Sequence, residues 1–443
     1  MSFSSVSKRL ADFVYSTTFD DLPPNVVEQA KGRVLDSLST AIASRSLPIP
    51  TLALSFVQAN RGEATIFANE RRVPAIDAAM VNATLVNGCS QDDFLQKSHP
   101  GALTVPASVA VAEEEGNSGK ELITSIVLGY DIVARVYMGG PTMLPKFRAS
   151  GVAGAVAAAA TAGKLLKLQP PELMNALGCS AVFASGFGEG FLSGTMEVKI
   201  NVGWACRSGV SAAMLARLGV TASPIEFEGE SGFFRAFAGT AEDAVATTRD
   251  LGKRFFINDV VYKEYPICIF VQTPVHLART LAHEKKIDPK KIQQVTIKAP
   301  EANFTNPGYR NVAPYDTELQ ARVSARFCTS AALLRKPIES HAFYENTSDQ
   351  AILALADKID LISHSNDTER VDLEVIHDGE YLTITGVDGE TLRPTINKIV
   401  AKFRRLTIDF LGKRTDQVID TVLNLERVKN IRELTDLLQF RDH

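Results

Sequence analysis

Apolar residues recur at intervals of three and four from residue 6 to about residue 218. Segments such as PNVVEQAKGRVLDSLSTAIA and GKELITSIVLGYDIVARVY place these residues on one side of an α-helix. Glycine and proline separate the segments, as in NRGE, HPG and GGP. The alanine- and glycine-rich run over residues 151–163 predicts a central helix against which other helices pack closely. This half of the chain therefore predicts an all-α domain.

The pattern changes after Pro266. A helical stretch, TPVHLARTLAHEKK, precedes the strand-like QQVTIKA, and two further helical stretches follow, TELQARVSARFCTSAALLRK and SDQAILALADKI. Two alternating runs, VDLEVIH and EYLTITGV, are joined by Asp-Gly, which is a strong signal for a β-hairpin. From about Pro394 the chain is amphipathic again. We predict a mainly α fold, with a large all-α domain over 1–267, to which 404–443 return, and a smaller α+β domain over 268–403.

Composition and charge exclude several classes of protein. The 443 residues are 45% hydrophobic, which is enough for a large core, and acids and bases are interspersed with a net charge of −4. A nucleic-acid-binding surface would need a basic excess. The start of the chain lacks the apolar core of a secretion signal, and the most apolar stretch, residues 152–166, is too short to span a bilayer. We therefore expect a cytoplasmic protein that binds neither nucleic acid nor membrane.

The segment over residues 87–114 carries the clearest chemical signal. Two adjacent carboxylates, Asp92 and Asp93, precede His99, which begins a His-Pro-Gly turn. An imidazole held at such a turn suits proton transfer, because the unperturbed pKa of histidine lies near neutrality. The alternative is a solvated loop whose histidine only caps the next helix, and the local sequence favours neither.

Three cations occupy positions that suit the binding of an anion. Lys199 lies in a glycine-dense run without Rossmann or P-loop spacing, which favours a flexible loop presenting Lys199 to an anionic group. Lys263 stands where the pattern changes from one domain to the next, a favoured place for a ligand pocket. Arg148 precedes the alanine-rich helix, whose N-terminus also attracts carboxylates. The alternatives are a linker lysine and a solvated cation at a helix start.

These segments, in this order, resemble the MmgE/PrpD family, which includes 2-methylcitrate dehydratase, cis-aconitate decarboxylase and iminodisuccinate epimerase. The resemblance runs over nearly the whole chain and rests on LDSLSTAIA, the Asp-Asp…His-Pro loop, GYDIVARV, FRASGVAGAVAAAATAGKLL, INVGWACRSG, FEGESGFFRAF and KEYP. It implies a helical domain, a smaller α+β domain, an active site between them, a homodimer, and neither a metal nor an organic cofactor.

The resemblance also implies roles for individual residues. His99 matches the family's loop histidine, Lys263 matches the lysine of its Lys-x-Tyr-Pro motif, and Asp92 and Asp93 match the acidic pair of its Asp-Phe-Asp-Asp-Thr loop. The expected catalytic residues are His99, Lys263 and Asp93. The expected residues for binding the substrate, a small di- or tricarboxylate, are Arg148, Lys199, Asp92 and Tyr137.

The sequence departs from the family pattern at several polar positions. Lys199 is one residue out of register, and the substituted positions are Ser90 (for Asp), Phe94 (for Thr), and Arg148, Asn201 and Gln272 (each for His). A dehydratase must protonate a departing hydroxyl, whereas an epimerase needs only to remove and return one proton. The departures favour an epimerase of a small (amino)dicarboxylic acid such as iminodisuccinate. The alternatives are a lyase, of the 2-methylcitrate dehydratase or cis-aconitate decarboxylase type, and a non-catalytic relative that binds a metabolite.

Overall fold

The computed structural model describes residues 5–58, 62–365 and 368–439. These residues form two compact units. The helical unit takes in the described residues up to Glu189, Met196–Val260 and those from Thr395 onward, and the smaller unit takes in Gly190–Thr195 and Val261–Pro394. The mainly α fold class is confirmed. The domain boundaries predicted from the sequence followed residues 267 and 403, whereas the units change after residues 260 and 394.

Helices account for most of the regular structure. They are α1 (Val6–Ser16), α2 (Pro24–Ala43), α3 (Pro48–Phe56), α4 (Ala75–Gly88), α5 (Pro100–Glu115), α6 (Gly119–Gly139), α7 (Ala149–Leu165), α8 (Pro170–Val182), α9 (Glu189–Ser193), α10 (Glu197–Arg217), α11 (Phe233–Ala238), α12 (Ile269–Glu284), α13 (Glu301–Phe304), α14 (Glu318–Val323), α15 (Ala325–Leu333), α16 (Gln350–Ala356), α17 (Asp388–Thr391), α18 (Ile396–Leu411), α19 (Arg414–Leu423) and α20 (Arg432–Thr435).

The described residues also form two sheets. Their strands are β1 (Ala64–Thr65), β2 (Arg72–Val73), β3 (Ile292–Pro300), β4 (Ile359–His364), β5 (Arg370–His377) and β6 (Glu380–Val387). The first two strands form a short antiparallel pair. In the smaller unit the order is β4-β3-β5-β6, with β4 parallel to β3 and the other pairs antiparallel.

Helix α7 lies at the centre of the helical unit, as the run of small residues predicts. Apart from Lys164, its residues are buried. A Cβ at Gly154 would lie 2.7 Å from the side chain of Leu103 on α5, and one at Gly209 on α10 would lie 2.4 Å from the carbonyl oxygen of Ala155. The neighbouring helices therefore approach closely at both glycines, and at Gly209, where the nearest atom belongs to the main chain, a larger residue does not fit.

The smaller unit agrees with the predicted hairpin but not with every helix. Asp378 and Gly379 both have positive φ, at 54° and 83°, as a two-residue turn between β5 and β6 requires. The single helix predicted over TELQARVSARFCTSAALLRK is wrong, because Ser324 ends α14 and its hydroxyl caps α15 by accepting from Phe327 N (3.2 Å). Strand β4 was not predicted, since only Ile359 within it is buried and no alternation results.

One helix among the described residues, α6, is long and apolar enough to cross a membrane by length and composition alone. Within it, 89% of the apolar window is buried inside the structure. Such burial is typical of a core helix, which satisfies the same criteria of length and composition.

Candidate active site

The loop between α4 and α5 is folded back on itself by a tight turn. Leu95 and Ser98 exchange both main-chain hydrogen bonds, at 3.0 and 2.9 Å. Gln96 and Lys97 between them have positive φ, at 46° and 67°. This turn reverses the chain, so that His99, which precedes the first residue of α5, lies beside the aspartates at the start of the loop.

His99 is held by contacts on three sides. Its Nδ1 lies 3.1 Å from Oδ2 of Asp92 and 3.0 Å from the main-chain oxygen of Asp93. Its main-chain N–H donates to Oγ of Ser150 (3.1 Å), and its ring packs edge-on against Phe94 with the centroids 5.5 Å apart. Because both partners of Nδ1 are acceptors, Nδ1 carries the proton of the neutral ring, and Nε2 carries none.

Asn87, at the end of α4, connects three of the predicted side chains. Its amide nitrogen donates to Oδ2 of Asp92 (2.8 Å), and its amide oxygen accepts from Nη2 of Arg148 (3.4 Å). The ammonium of Lys199 donates to the main-chain oxygen of Asn87 (2.8 Å) and to Oγ of Ser90 (2.7 Å). We call Asn87, Asp92, His99, Arg148 and Lys199 the His99 cluster. Four of its five members were predicted, and Asn87 was not, because an amide that connects other side chains has no distinctive spacing.

The cationic members of the His99 cluster sit at helix starts. Arg148 precedes α7 and is 5% exposed. Burial lowers the pKa of its guanidinium to about 10, against the opposing effect of the Asp92 carboxylate, so Arg148 stays charged at neutral pH.

The prediction that a flexible loop presents Lys199 is wrong, because Lys199 lies in the first turn of α10. The buried residues Val198, Val202 and Cys206 recur at intervals of four, which is a helical signal that the glycine-dense segment obscures.

The side chain of Asp93 points away from His99. Its Oδ1 accepts from the main-chain N–H of Gly101 (2.9 Å) and its Oδ2 accepts from the hydroxyl of Tyr130 (2.5 Å). Nη1 of Arg33 lies 3.9 Å from the same Oδ2. Burial raises the pKa of Asp93 to about 6, and Asp36 adds to the effect while Arg33 opposes it.

A second buried ion pair lies on this side of the loop. The ammonium of Lys402 on α18 donates to Oδ1 of Asp36 (2.7 Å) and to the main-chain oxygen of Gln91 (2.6 Å). We call Arg33, Asp36, Asp93, Tyr130 and Lys402 the buried ion cluster. Four of these residues were not predicted, because they come from helices far apart in the sequence and carry no local motif.

Two predicted residues lie elsewhere in the described structure. Tyr137 is a half-buried residue near the end of α6, and no described contact joins it to the His99 cluster. Lys263 belongs to the smaller unit. The segment that carries it is fixed by the amide of Gln272, whose oxygen accepts from the main-chain N–H groups of Glu264 (3.1 Å) and Tyr265 (3.2 Å). Gln272 thus holds the KEYP segment, residues 263–266, through these hydrogen bonds.

The metal-ligating residue types form no group of three or more that could hold a metal ion within residues 5–58, 62–365 and 368–439. The His99 cluster instead combines a histidine–carboxylate pair with a guanidinium and an ammonium. Such a set can exchange a proton at the imidazole while the cations hold or stabilise negative charge.

Comparisons with known proteins agree over most of the chain. The model of the MmgE/PrpD N-terminal domain matches residues 8–245, and that of the MmgE/PrpD C-terminal domain matches residues 265–426. Cis-aconitate decarboxylase of Aspergillus terreus (strain NIH 2624 / FGSC A1156) is 23% identical over 98% of this chain and 96% of its own length. The cis-aconitate decarboxylase-like protein oryM of Aspergillus oryzae is 23% identical over 98% of this chain and 97% of its own length. Cis-aconitate decarboxylase of Homo sapiens is 22% identical over 78% of this chain and 74% of its own length.

Proposed function

The chain belongs to the MmgE/PrpD family, and we propose that it catalyses proton transfer, without a metal or organic cofactor, at the carbon next to a carboxylate of a small di- or tricarboxylic acid. One observation supports this most directly. The imidazole of His99 is oriented by Asp92 through Nδ1, beside the cations Arg148 and Lys199 of the same cluster. The cis-aconitate decarboxylases that resemble the chain have names that specify a polycarboxylate substrate.

In the proposed mechanism, Nε2 of His99 takes the proton from the carbon. The carboxylate of Asp92 then stabilises the imidazolium that forms, because it lies 3.1 Å from Nδ1. Negative charge develops on the substrate carboxylate as the carbon–hydrogen bond breaks. Arg148 and Lys199 stabilise that charge, and the planar guanidinium of Arg148 suits a carboxylate held through two oxygens.

We propose Lys263 as the second acid–base group, which returns a proton to the opposite face of the carbon. An epimerase needs such a group because inversion requires removal and return on different faces. Asp93 is proposed to act through the position of α5, since its carboxylate accepts from Gly101 N in the first turn of that helix. Tyr137 remains a weaker proposal for substrate binding.

We place the reaction in the epimerase branch, with iminodisuccinate as the example of a substrate. The apolar ring of Phe94 packs against His99 where the family has a hydroxyl, and Ser90 and Asn201 stand in place of acidic or imidazole groups. A lyase that expels hydroxide would need such a proton donor. The second candidate is decarboxylation or dehydration, and the names of the similar proteins favour it.

Polarimetry and ultraviolet absorbance on a panel of di- and tricarboxylic acids separate the two branches. An epimerase changes the optical rotation while the mass and the absorbance of the acid stay constant. A dehydratase releases water and forms a new carbon–carbon double bond, which raises the ultraviolet absorbance, whereas a decarboxylase releases carbon dioxide from an acid that is already unsaturated. Stoichiometric unsaturated product at an ordinary enzymatic rate would contradict the epimerase proposal and support the lyase.

We further propose that the protein is a homodimer. Several large apolar side chains of the helical unit are exposed, among them Val182 (66%), Phe187 (74%), Met196 (54%) and Trp204 (44%). Tryptophan, phenylalanine and methionine are enriched at protein–protein interfaces relative to the rest of a protein surface. Light scattering should give twice the mass of the 48.0 kDa chain, and Trp204→Glu should reduce that mass toward one chain. A monomer in the unsubstituted protein would contradict the proposal.

A further inference from the structure

We propose that Lys402, on α18, is a positioning residue. It holds the loop that carries Asp92 and His99 in the geometry that the proposed proton transfer requires. The inference rests on the proposed function insofar as His99 is the group that transfers the proton. Lys402 lies more than 300 residues beyond that loop in the sequence, and its ammonium contacts Asp36 and the main chain of Gln91. We therefore assign Lys402 a role that is exerted through these two residues.

The contacts of Lys402 reach the loop at the residue before Asp92. The ammonium donates to the main-chain oxygen of Gln91 at 2.6 Å, and Gln91 is 1% exposed. The next residue, Asp92, contacts Nδ1 of His99 at 3.1 Å. A chain of two contacts and one peptide bond thus links the buried ammonium to the imidazole. A displacement of Gln91 would move Asp92 with it, because the two residues share a peptide plane.

The ammonium itself is fixed from the other side by Asp36. The two groups are 2.7 Å apart, and their side chains are 0% and 2% exposed. The helices that carry them approach closely, since a Cβ at Gly32 on α2 would lie 2.9 Å from Cδ1 of Ile399 on α18. Asp36 lies one turn beyond Gly32, and Lys402 lies one turn beyond Ile399. The absence of a side chain at Gly32 thus helps α18 to pack close to α2 beside this ion pair.

Stability alone does not explain a lysine at this position. Removing two charges from water is costly, and well-packed apolar residues often replace a buried ion pair without loss of stability. An apolar side chain would not, however, donate a hydrogen bond to the buried carbonyl of Gln91. The lysine does so while Asp36 neutralises its charge. The arrangement is thus suited to fixing the main chain of the loop at a defined place.

The test compares Lys402→Met with the double variant Lys402→Met/Asp36→Asn. The single variant leaves the Asp36 carboxylate buried without its ammonium, so we expect a lower thermal midpoint. The double variant removes that charge and should recover most of the midpoint. In both variants kcat should fall by about 10- to 100-fold with KM within about threefold, since a displacement of about 1 Å in a catalytic group has that effect. Recovery of kcat together with the midpoint in the double variant would show a merely structural role and overturn the proposal.

A measurement without substrate separates this proposal from the proposed function. Hydrogen exchange of the peptide over residues 87–99 should be about tenfold faster or more in both variants than in the unsubstituted protein. The control is Lys413→Met, which removes an exposed lysine just beyond the same helix and should change neither exchange nor kcat. If no polycarboxylate reacts, the proposed function fails while exchange still tests Lys402. Equal exchange in the unsubstituted protein and both variants overturns the role of Lys402.

Discussion

The two sides of the loop between α4 and α5 differ in what their charged groups contact. On one side the His99 cluster joins an imidazole, a carboxylate and two cations around Asn87, and the His99 side chain keeps 15% of its exposure. On the other side the buried ion cluster joins two cations and two carboxylates, and the side chains of Arg33 and Asp93 are fully buried. Asp92 belongs to the first side and Asp93 to the second, although they are adjacent in the chain.

The comparison shows that one short segment, the loop between α4 and α5, takes part in two separate sets of contacts. Asp92 contacts Nδ1 of His99, whereas the adjacent Asp93 accepts from Gly101 N and from the hydroxyl of Tyr130. The groups around His99 are those to which we assign proton exchange and the stabilisation of charge. The groups around Asp93 fix the loop and the start of α5, since Asp93 accepts from Gly101 N and a Cβ at Gly101 would lie 2.8 Å from Asp93 Oδ1. Substitutions on the two sides should therefore produce different kinds of loss.

The largest effect is expected at His99. His99→Ala should lower turnover by about a hundredfold or more, because a positioned acid–base group contributes that much, while circular dichroism stays unchanged. The matched control is His276→Ala on α12, whose side chain is 46% exposed and which should keep normal turnover. Near-normal turnover in His99→Ala would remove the imidazole from the mechanism.

Arg148 should affect both substrate binding and turnover, because its guanidinium is proposed to hold the carboxylate and to stabilise the negative charge that develops on it. Arg148→Ala should raise KM by about 10- to 100-fold, which corresponds to the loss of a charged hydrogen bond. Arg148→Lys should rescue poorly, because a point charge does not replace a planar fork that grips two oxygens. Steady-state kinetics measure KM and kcat of both variants. The control is Arg217→Lys, at an exposed position on α10. Full activity in Arg148→Lys would show that the guanidinium does not bind a carboxylate of the substrate.

On the other side of the loop, Asp93 should change the pH dependence of stability. Burial raises the pKa of Asp93 from 3.8 to about 6, so the folded protein favours the protonated carboxyl. The resulting stabilisation is present below about pH 4 and is lost as the pH rises through about 6, a change of about 3 kcal/mol.

The variant Asp93→Asn has no ionisable group at this position, so it should not show this loss of folding stability over this pH range. Between pH 4 and pH 7 the thermal midpoint of the unsubstituted protein should therefore fall by several degrees more than that of the variant. The exposed Asp409→Asn on α18 is the control and should follow the unsubstituted protein. Parallel profiles for Asp93→Asn and the unsubstituted protein would contradict the burial of an ionisable Asp93.

No effect is expected from chelation. The His99 cluster already holds the charges of Arg148 and Lys199, which repel a metal ion and take its place in stabilising a carboxylate. Turnover after exhaustive treatment with a chelator should equal that of the untreated protein. Loss of turnover that a divalent ion restores would show that a metal contributes to the site.

Local sequence patterns predicted some parts of the fold and of the candidate site but not others. His99 at a helix start follows from the His-Pro-Gly sequence, and the hairpin follows from the Asp-Gly turn. The contact between Asp36 and Lys402 spans 366 positions, and no local period or motif indicates it. Lys199 was assigned to a loop because several glycines lie near it in the sequence. It lies in a helix instead, because the residues spaced four apart around it are buried.

Solvent deuterium exchange at the substrate tests the central claim most directly. The unsubstituted protein is incubated with its acid in heavy water, and NMR follows the proton on the carbon next to the carboxylate. We predict that deuterium enters that position during inversion, that no unsaturated product accumulates, and that His99→Ala slows the incorporation by about a hundredfold or more. Incorporation at an unchanged rate in His99→Ala, or turnover of the acid without any incorporation, would contradict the claim that His99 transfers the proton.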